Sequence, residues 1–255
     1  MQAFSAMRKA GDSNQGWGNL LRHVDLALVP IVLGVAFAAL AAERALAIEG
    51  PYAAGVSIAF IAGAAAVLRV ASRHLNGAPL GAANRITLVR GALAALAAGL
   101  LLAEPRPERA WFAVGVIALA LALDGVDGAL ARRFRLETAF GARFDMETDA
   151  LTILILCALA WRFGRAGVWV LLGGLLRYAF VAAGSLWPWL KRPLPPSRRR
   201  QTACVLQIVA LVACLAPVAP ARLAASIAAL GLAAIAASFA ADVLWLRRAP
   251  RTIAS

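Results

Sequence analysis

Apolar residues fill this chain in long unbroken runs rather than in alternation or along one helical stripe. Stretches close to the roughly 18 residues a helix needs to cross a hydrocarbon core of about 30 Å recur eight times. They run approximately from Leu26 to Ile48, Tyr52 to Val70, Ile86 to Ala103, Ala110 to Leu130, Asp149 to Phe163, Val168 to Leu190, Thr202 to Val218 and Arg222 to Leu246. The fifth run is short, and its helix is expected to begin a few residues earlier. A helix apolar on every side needs either a deep core or lipid around it, and in lipid only helices and closed barrels satisfy their own backbone. The pattern therefore predicts an all-α, polytopic integral membrane bundle of about eight transmembrane helices.

Polar positions fall mainly between the runs. Residues 1–25 form a leader in which Gly11, Ser13, Asn14, Gln15 and Gly16 cluster, which predicts flexibility, with Trp17 suited to the membrane interface. The first two runs form a hairpin over 26–70, the remaining six a membrane domain over 82–246, and 247–255 a short tail. No stretch between the runs is long enough for a soluble domain. Small residues at four-residue spacings, as in "GVSIAFIAGAAAV" and "ASIAALGLAAIAASFA", predict close helix approach. Composition agrees: 62% of residues are hydrophobic and only 15% charged, well outside the soluble range.

A net charge of +13 raises the question of nucleic acid, but the basic residues are placed by topology instead. Eighteen of the 26 Lys and Arg lie before the first run, after every second run, or in the tail, for example Arg132, Arg133, Arg135 and Arg143 after the fourth. The intervening loops hold few, and Glu104 and Glu108 offset two of them. This bias predicts an even number of spans with both termini cytoplasmic, an inner-membrane location, and lipid rather than nucleic acid as the surroundings. Ala45, Leu46 and Ala47 resemble a signal cleavage site, but the preceding polar segment and the apolar run are both longer than a signal peptide has, so the first span is read as retained. Cys157, Cys204 and Cys214 all fall inside runs without a CxxC pair, which points away from zinc or disulfides and toward apolar filling.

Against this background, "LDGVDGALARRFRLETAFGARFDMETD" from Leu123 to Asp149 stands out, because it holds six of the chain's 13 acidic residues. On a helix, Asp124 and Asp127 share a face, and Gly128 and Ala131 fall about 40° and −20° from Asp124, leaving no bulky side chain over the carboxylates. Asp145 and Asp149, four residues apart, share a face of the next helix, with Gly141 one turn earlier. A short loop makes these two helices antiparallel neighbours, so four carboxylates can converge at one depth. Left without cations in a partly desolvated site they would repel strongly. Oxygen-only donors select hard ions such as Mg²⁺ or Mn²⁺, and two divalent ions match four carboxylates. Such a pair suits displacement at phosphorus.

This stretch is similar to the signature of the CDP-alcohol phosphotransferases, D-x2-D-G-x2-A-R-x8-G-x3-D-x3-D, at Asp124, Asp127, Gly128, Ala131, Arg132, Gly141, Asp145 and Asp149. The resemblance implies a six-helix core from roughly Ala82 to Leu246, with the first two spans added to it. It also implies that Asp124, Asp127 and Asp145 hold two divalent ions, that Asp149 completes one metal site and acts as general base, and that Gly128 and Arg132 contact the CDP group. Upstream, "AANRITLVR" resembles the family's P-N-x-x-T-x-x-R, matched at Asn84, Thr87 and Arg90 but with Ala83 in place of the proline. Asn84 is then expected at the nucleotide, whereas Thr87 serves either a ligand or its own helix backbone. Thr138 is placed for a phosphate or for its own loop.

The implied reaction is attack of an acceptor hydroxyl, deprotonated by Asp149, on the β-phosphorus of a CDP-linked lipid such as CDP-diacylglycerol, with release of CMP. Its substrates are the CDP-linked lipid and an alcohol, and the resemblance implies a homodimer. For the acceptor, "LKRPLPPSRRRQT" offers Arg198, Arg199 and Arg200 either to lipid headgroups or to the phosphate of a phosphorylated polyol such as glycerol 3-phosphate or inositol phosphate. Arg177, a cation inside an apolar run, is expected to face the bundle interior and to pair with a site aspartate or a substrate phosphate. A Mg²⁺-dependent membrane prenyltransferase would set its acidic motifs several helices apart, whereas Asp127 and Asp145 are only 18 residues apart. A cation-coupled transporter would want its carboxylates near mid-membrane. A silent, lipid-binding member of the family would not need all four aspartates.

Overall fold

The computed structural model describes residues 28–74, 81–134 and 138–248, and the side chains of these except at 69–74, 82, 126–134 and 139. The leader and tail lie outside the described residues. Eight α-helices, and no strand, occur among the described residues: α1 (Leu28–Ala45), α2 (Tyr52–His74), α3 (Ala82–Gly99), α4 (Pro107–Phe134), α5 (Ala139–Arg162), α6 (Leu171–Leu186), α7 (Arg198–Leu215) and α8 (Ala221–Arg248). Each apolar run of the sequence yields one helix. The fifth starts ten residues before its run at Asp149, at Ala139, because the polar half of the Asp145 stretch is helical too. Single 3-10 turns over Leu100–Leu102, Val168–Val170 and Pro188–Lys191 trim the ends of the third and sixth runs.

Four segments, Leu28–Ala45, Ala83–Leu102, Val168–Leu186 and Ala221–Arg248, are long and apolar enough to cross a membrane among the described residues. Charged residues within α4 and α5 (Asp124 and Asp145 among them) interrupt their apolar stretch. Burial supports a lipid surrounding: Phe37 is 75% exposed and Leu230 72%, whereas Arg90 and Asp242 are buried. Large apolar side chains on the outside and charges inside reverse the soluble arrangement, as expected where the outer solvent is hydrocarbon.

The chain forms two compact units, residues 1–104 with 116–148, and residues 105–115 with 149–255. In the first, α1 and α2 meet at a tight turn in which Gly50 has φ +89° and the Glu43 carboxylate accepts the Ala53 N–H at 2.6 Å, satisfying a free donor of the first turn of α2. The helix pair α2 and α3 packs closely because residue 99 is glycine: a Cβ there would lie 2.6 Å from the Tyr52 ring. The Tyr52 hydroxyl in turn donates to the Leu96 carbonyl at 2.6 Å. Leu28 and Ile31 of α1, Leu68 of α2, and Phe140 and Phe144 of α5 gather on the buried Leu88 of α3. Within this unit α1 and α2 thus cover one face of α3.

In the second unit, the chain turns just past the end of α5 at Gly164, whose φ of +65° lets Arg165 N–H return to the Ala160 carbonyl at 2.9 Å and Gly164 N–H to the Trp161 carbonyl at 3.0 Å. This reversal aims the Arg165 guanidinium at the end of α7, where it donates to the carbonyls of Cys214, Ala216 and Ala219 at 3.0, 2.8 and 2.6 Å. A cation there also opposes the negative pole of that helix. Fully buried Gln207 of α7 lies between Gly173 of α6 and Gly231 of α8, and a Cβ on either glycine would come within 2.8 Å of its amide.

Candidate functional site

Two helices of the chain deliver the acidic constellation. Asp124 stands on α4, and Asp145 and Asp149 stand one turn apart on α5. One carboxylate oxygen from each lies within 4.8 Å of the others, and all three residues are partly buried. Asp127, Gly128 and Arg132 follow on α4, but their side chains lie outside the described residues. The converging donors are carboxylate oxygens, the set that hard divalent cations prefer, so the residues present fit such an ion.

Sequence reasoning gave Arg90 no role, yet it is the cation of this cluster. It sits on α3 with its side chain only 6% exposed, and its Nη1 donates to Asp124 Oδ1 at 2.8 Å and also to Asp145 Oδ1. The signal was available: an arginine in the apolar run "ITLVRGALAAL" is costly unless paired. The carboxylates stay more open, with side chains 29% exposed for Asp124 and 43% for Asp145.

Other expected residues take up defined positions around α5. Thr138 precedes the helix and its hydroxyl accepts the Gly141 N–H at 3.0 Å, the geometry of an N-cap. Asn84 of α3 is buried, and its Oδ1 lies 2.9 Å from where a Cβ on Gly141 would stand, so glycine at 141 admits both Asn84 and the cap. Of the two alternatives for Thr87, the structure has the helix-backbone one: its hydroxyl donates to the Ala83 carbonyl at 3.2 Å. Cys204 of α7, expected as apolar filling, instead points its thiol at Asp149 Oδ2, 3.7 Å away.

The basic residues read for the acceptor lie on α6 and α7. Arg177 is half-buried on α6. Arg198 is exposed at the start of α7. Arg199 is engaged by α8: its Nη1 donates to the Ser238 carbonyl and, at 3.1 Å, to the Ser238 hydroxyl, and its Nη2 pairs with Asp242. Arg200 reaches the same Asp242 oxygen at 3.4 Å and donates to the Pro195 carbonyl, which ties down the proline-rich loop. Asp242 was missed because a single aspartate near a helix end carries no motif; its buried side chain identifies it only once α7 and α8 pack.

A family model described as CDP-alcohol phosphatidyltransferase matches residues 80–240. No curated protein and no solved structure matches the chain.

Proposed function

Because the chain belongs to the CDP-alcohol phosphatidyltransferase family, a transferase family of membrane helical bundles, we propose that it moves a phosphatidyl group from CDP-diacylglycerol to a phosphorylated polyol and releases CMP. The observation that carries this reading is the convergence of Asp124, Asp145 and Asp149 within 4.8 Å at the family's signature positions. Asp124, Asp127, Asp145 and Asp149 would hold two Mg²⁺ or Mn²⁺ ions. Held there, such ions would supply positive charge for the phosphoryl oxygens and the departing CMP.

The rest is work for side chains. Asp149 accepts the proton of the acceptor hydroxyl as it attacks the β-phosphorus, a bond from oxygen to phosphorus forming while the bond to CMP breaks. Its neighbour Cys204 directs its thiol, a weak donor, at Asp149 Oδ2. Asn84, Gly128, Arg132 and Thr138 position the CDP portion. Arg177, Arg198, Arg199 and Arg200 supply positive charge for the acceptor phosphate, with Asp242 holding Arg199 and Arg200 in place. In this reading the active site faces the cytoplasmic side of the inner membrane, which the placement of the basic loops supports, and the enzyme is a homodimer, which the family resemblance implies.

Purified protein in mixed micelles with CDP-diacylglycerol, Mg²⁺ and a panel of alcohols tests the reading. CMP release with glycerol 3-phosphate or inositol phosphate, abolished by Asp145→Asn, is the expected result. CMP release with none of the alcohols, or full activity in Asp145→Asn, would refute it.

A further inference from the structure

We propose that Arg90 is a cation built into the acidic cluster, one that holds Asp124 and Asp145 together and competes with a divalent ion for their oxygens. The inference rests on the metal-dependent reading above and deepens it by assigning a residue that sets the metal requirement. A single nitrogen, Nη1, reaches Oδ1 of both aspartates, which belong to different helices. A cation touching one oxygen from each of two carboxylates occupies the place of a bridging metal ion. Its side chain is buried, and a guanidinium keeps its charge at every accessible pH.

The cluster is approached from two sides by two kinds of cation. Arg90 comes from the buried side with a side chain 6% exposed, whereas Asp124 and Asp145 keep 29% and 43% of theirs accessible. An ion arriving from the aqueous side therefore meets carboxylates already gathered, and meets the arginine charge behind them. Gathering favours the ion; the like charge opposes it. A double charge about 5 Å from a single one, even with the screening of water, weakens binding about tenfold, and less screening makes the effect larger. Preorganising two partly exposed side chains recovers less than this, because each is already fixed on a helix. Arg90 thus keeps the cluster folded before an ion binds and raises the concentration of ion needed to fill it.

Arg90→Gln and Arg90→Lys, made in the full chain and purified in detergent, test the inference through Mn²⁺ affinity read by electron paramagnetic resonance, with Asp145→Asn marking which binding belongs to the cluster. Arg90→Gln is expected to bind Mn²⁺ about tenfold tighter than wild type, with a lower melting temperature without metal and a larger rise on adding it. Arg90→Lys, which keeps a charge but lacks the planar fork, is expected to shift in the same direction by less. Equal or weaker affinity in Arg90→Gln, with wild-type binding that Asp145→Asn removes, would overturn the role of Arg90 and leave the metal reading standing. If Arg90→Gln does not fold, the sign of the change in Arg90→Lys decides instead. Wild-type Mn²⁺ binding indifferent to Asp145→Asn would overturn the metal reading, and this inference with it.

Discussion

Replacing Gly141 with alanine adds one methyl group at the point where α3 meets the start of α5. The added carbon would stand 2.9 Å from Asn84 Oδ1 and 3.0 Å from Thr138 Oγ1, closer than carbon and oxygen normally approach. Both neighbours must give. Displacing Thr138 forfeits an N-cap hydrogen bond of about 1 kcal/mol, and turning buried Asn84 off its rotamer costs about 0.5–1.5 kcal/mol. Alanine within a helix returns about 0.5–1 kcal/mol relative to glycine. The net loss of stability is then about 1 kcal/mol, a change of about 2–4 °C in melting temperature for a chain of this size class. The functional effect is larger than that figure suggests, because the moved group is the one proposed to contact the nucleotide. A lost hydrogen bond of about 1.4 kcal/mol raises the donor KM about tenfold. The assay is CMP release at saturating acceptor in mixed micelles, alongside Mn²⁺ affinity, which should stay at the wild-type value because Arg90, Asp124 and Asp145 are untouched. A donor KM within about twofold of wild type, together with an unchanged melting temperature, would show that this helix approach tolerates a methyl group and that Asn84 does not serve the donor.

Asp149→Asn should lower CMP release by at least about a hundredfold while keeping most Mn²⁺ binding, since the amide cannot take the acceptor's proton; full activity would remove Asp149 as the base. Asp242→Ala leaves Arg199 and Arg200 without their shared carboxylate. Breaking a buried pair costs about 3–5 kcal/mol, and the partial exposure of Arg199 places this one at or below the low end, so a melting temperature within a degree of wild type would refute the latch between α7 and α8. Arg177→Met should raise the acceptor KM and leave the donor KM alone, and an unchanged acceptor KM would take Arg177 out of the acceptor site.

Much of the molecule was legible in the residues alone. The eight apolar runs predicted eight helices because a helix in lipid must be apolar all round, a property of the local sequence that packing does not alter. The convergence of Asp124, Asp145 and Asp149 was equally legible, since a short loop between two helices leaves their ends side by side. Thr87 and Thr138 each admit two roles from sequence alone, because a hydroxyl serves backbone or ligand equally well and only its surroundings choose. Both hydroxyls bond the backbone in the structure.

What tertiary structure alone decided is which charges answer which. Arg90 and Asp124 are 34 residues apart in sequence, and Arg199 and Asp242 43, so no helical periodicity places them together. Their pairing follows from helix packing, which sets direction and depth as well as order along the chain. The local chemistry of each residue fixed that a buried charge must find a partner; the three-dimensional arrangement of the helices chose it.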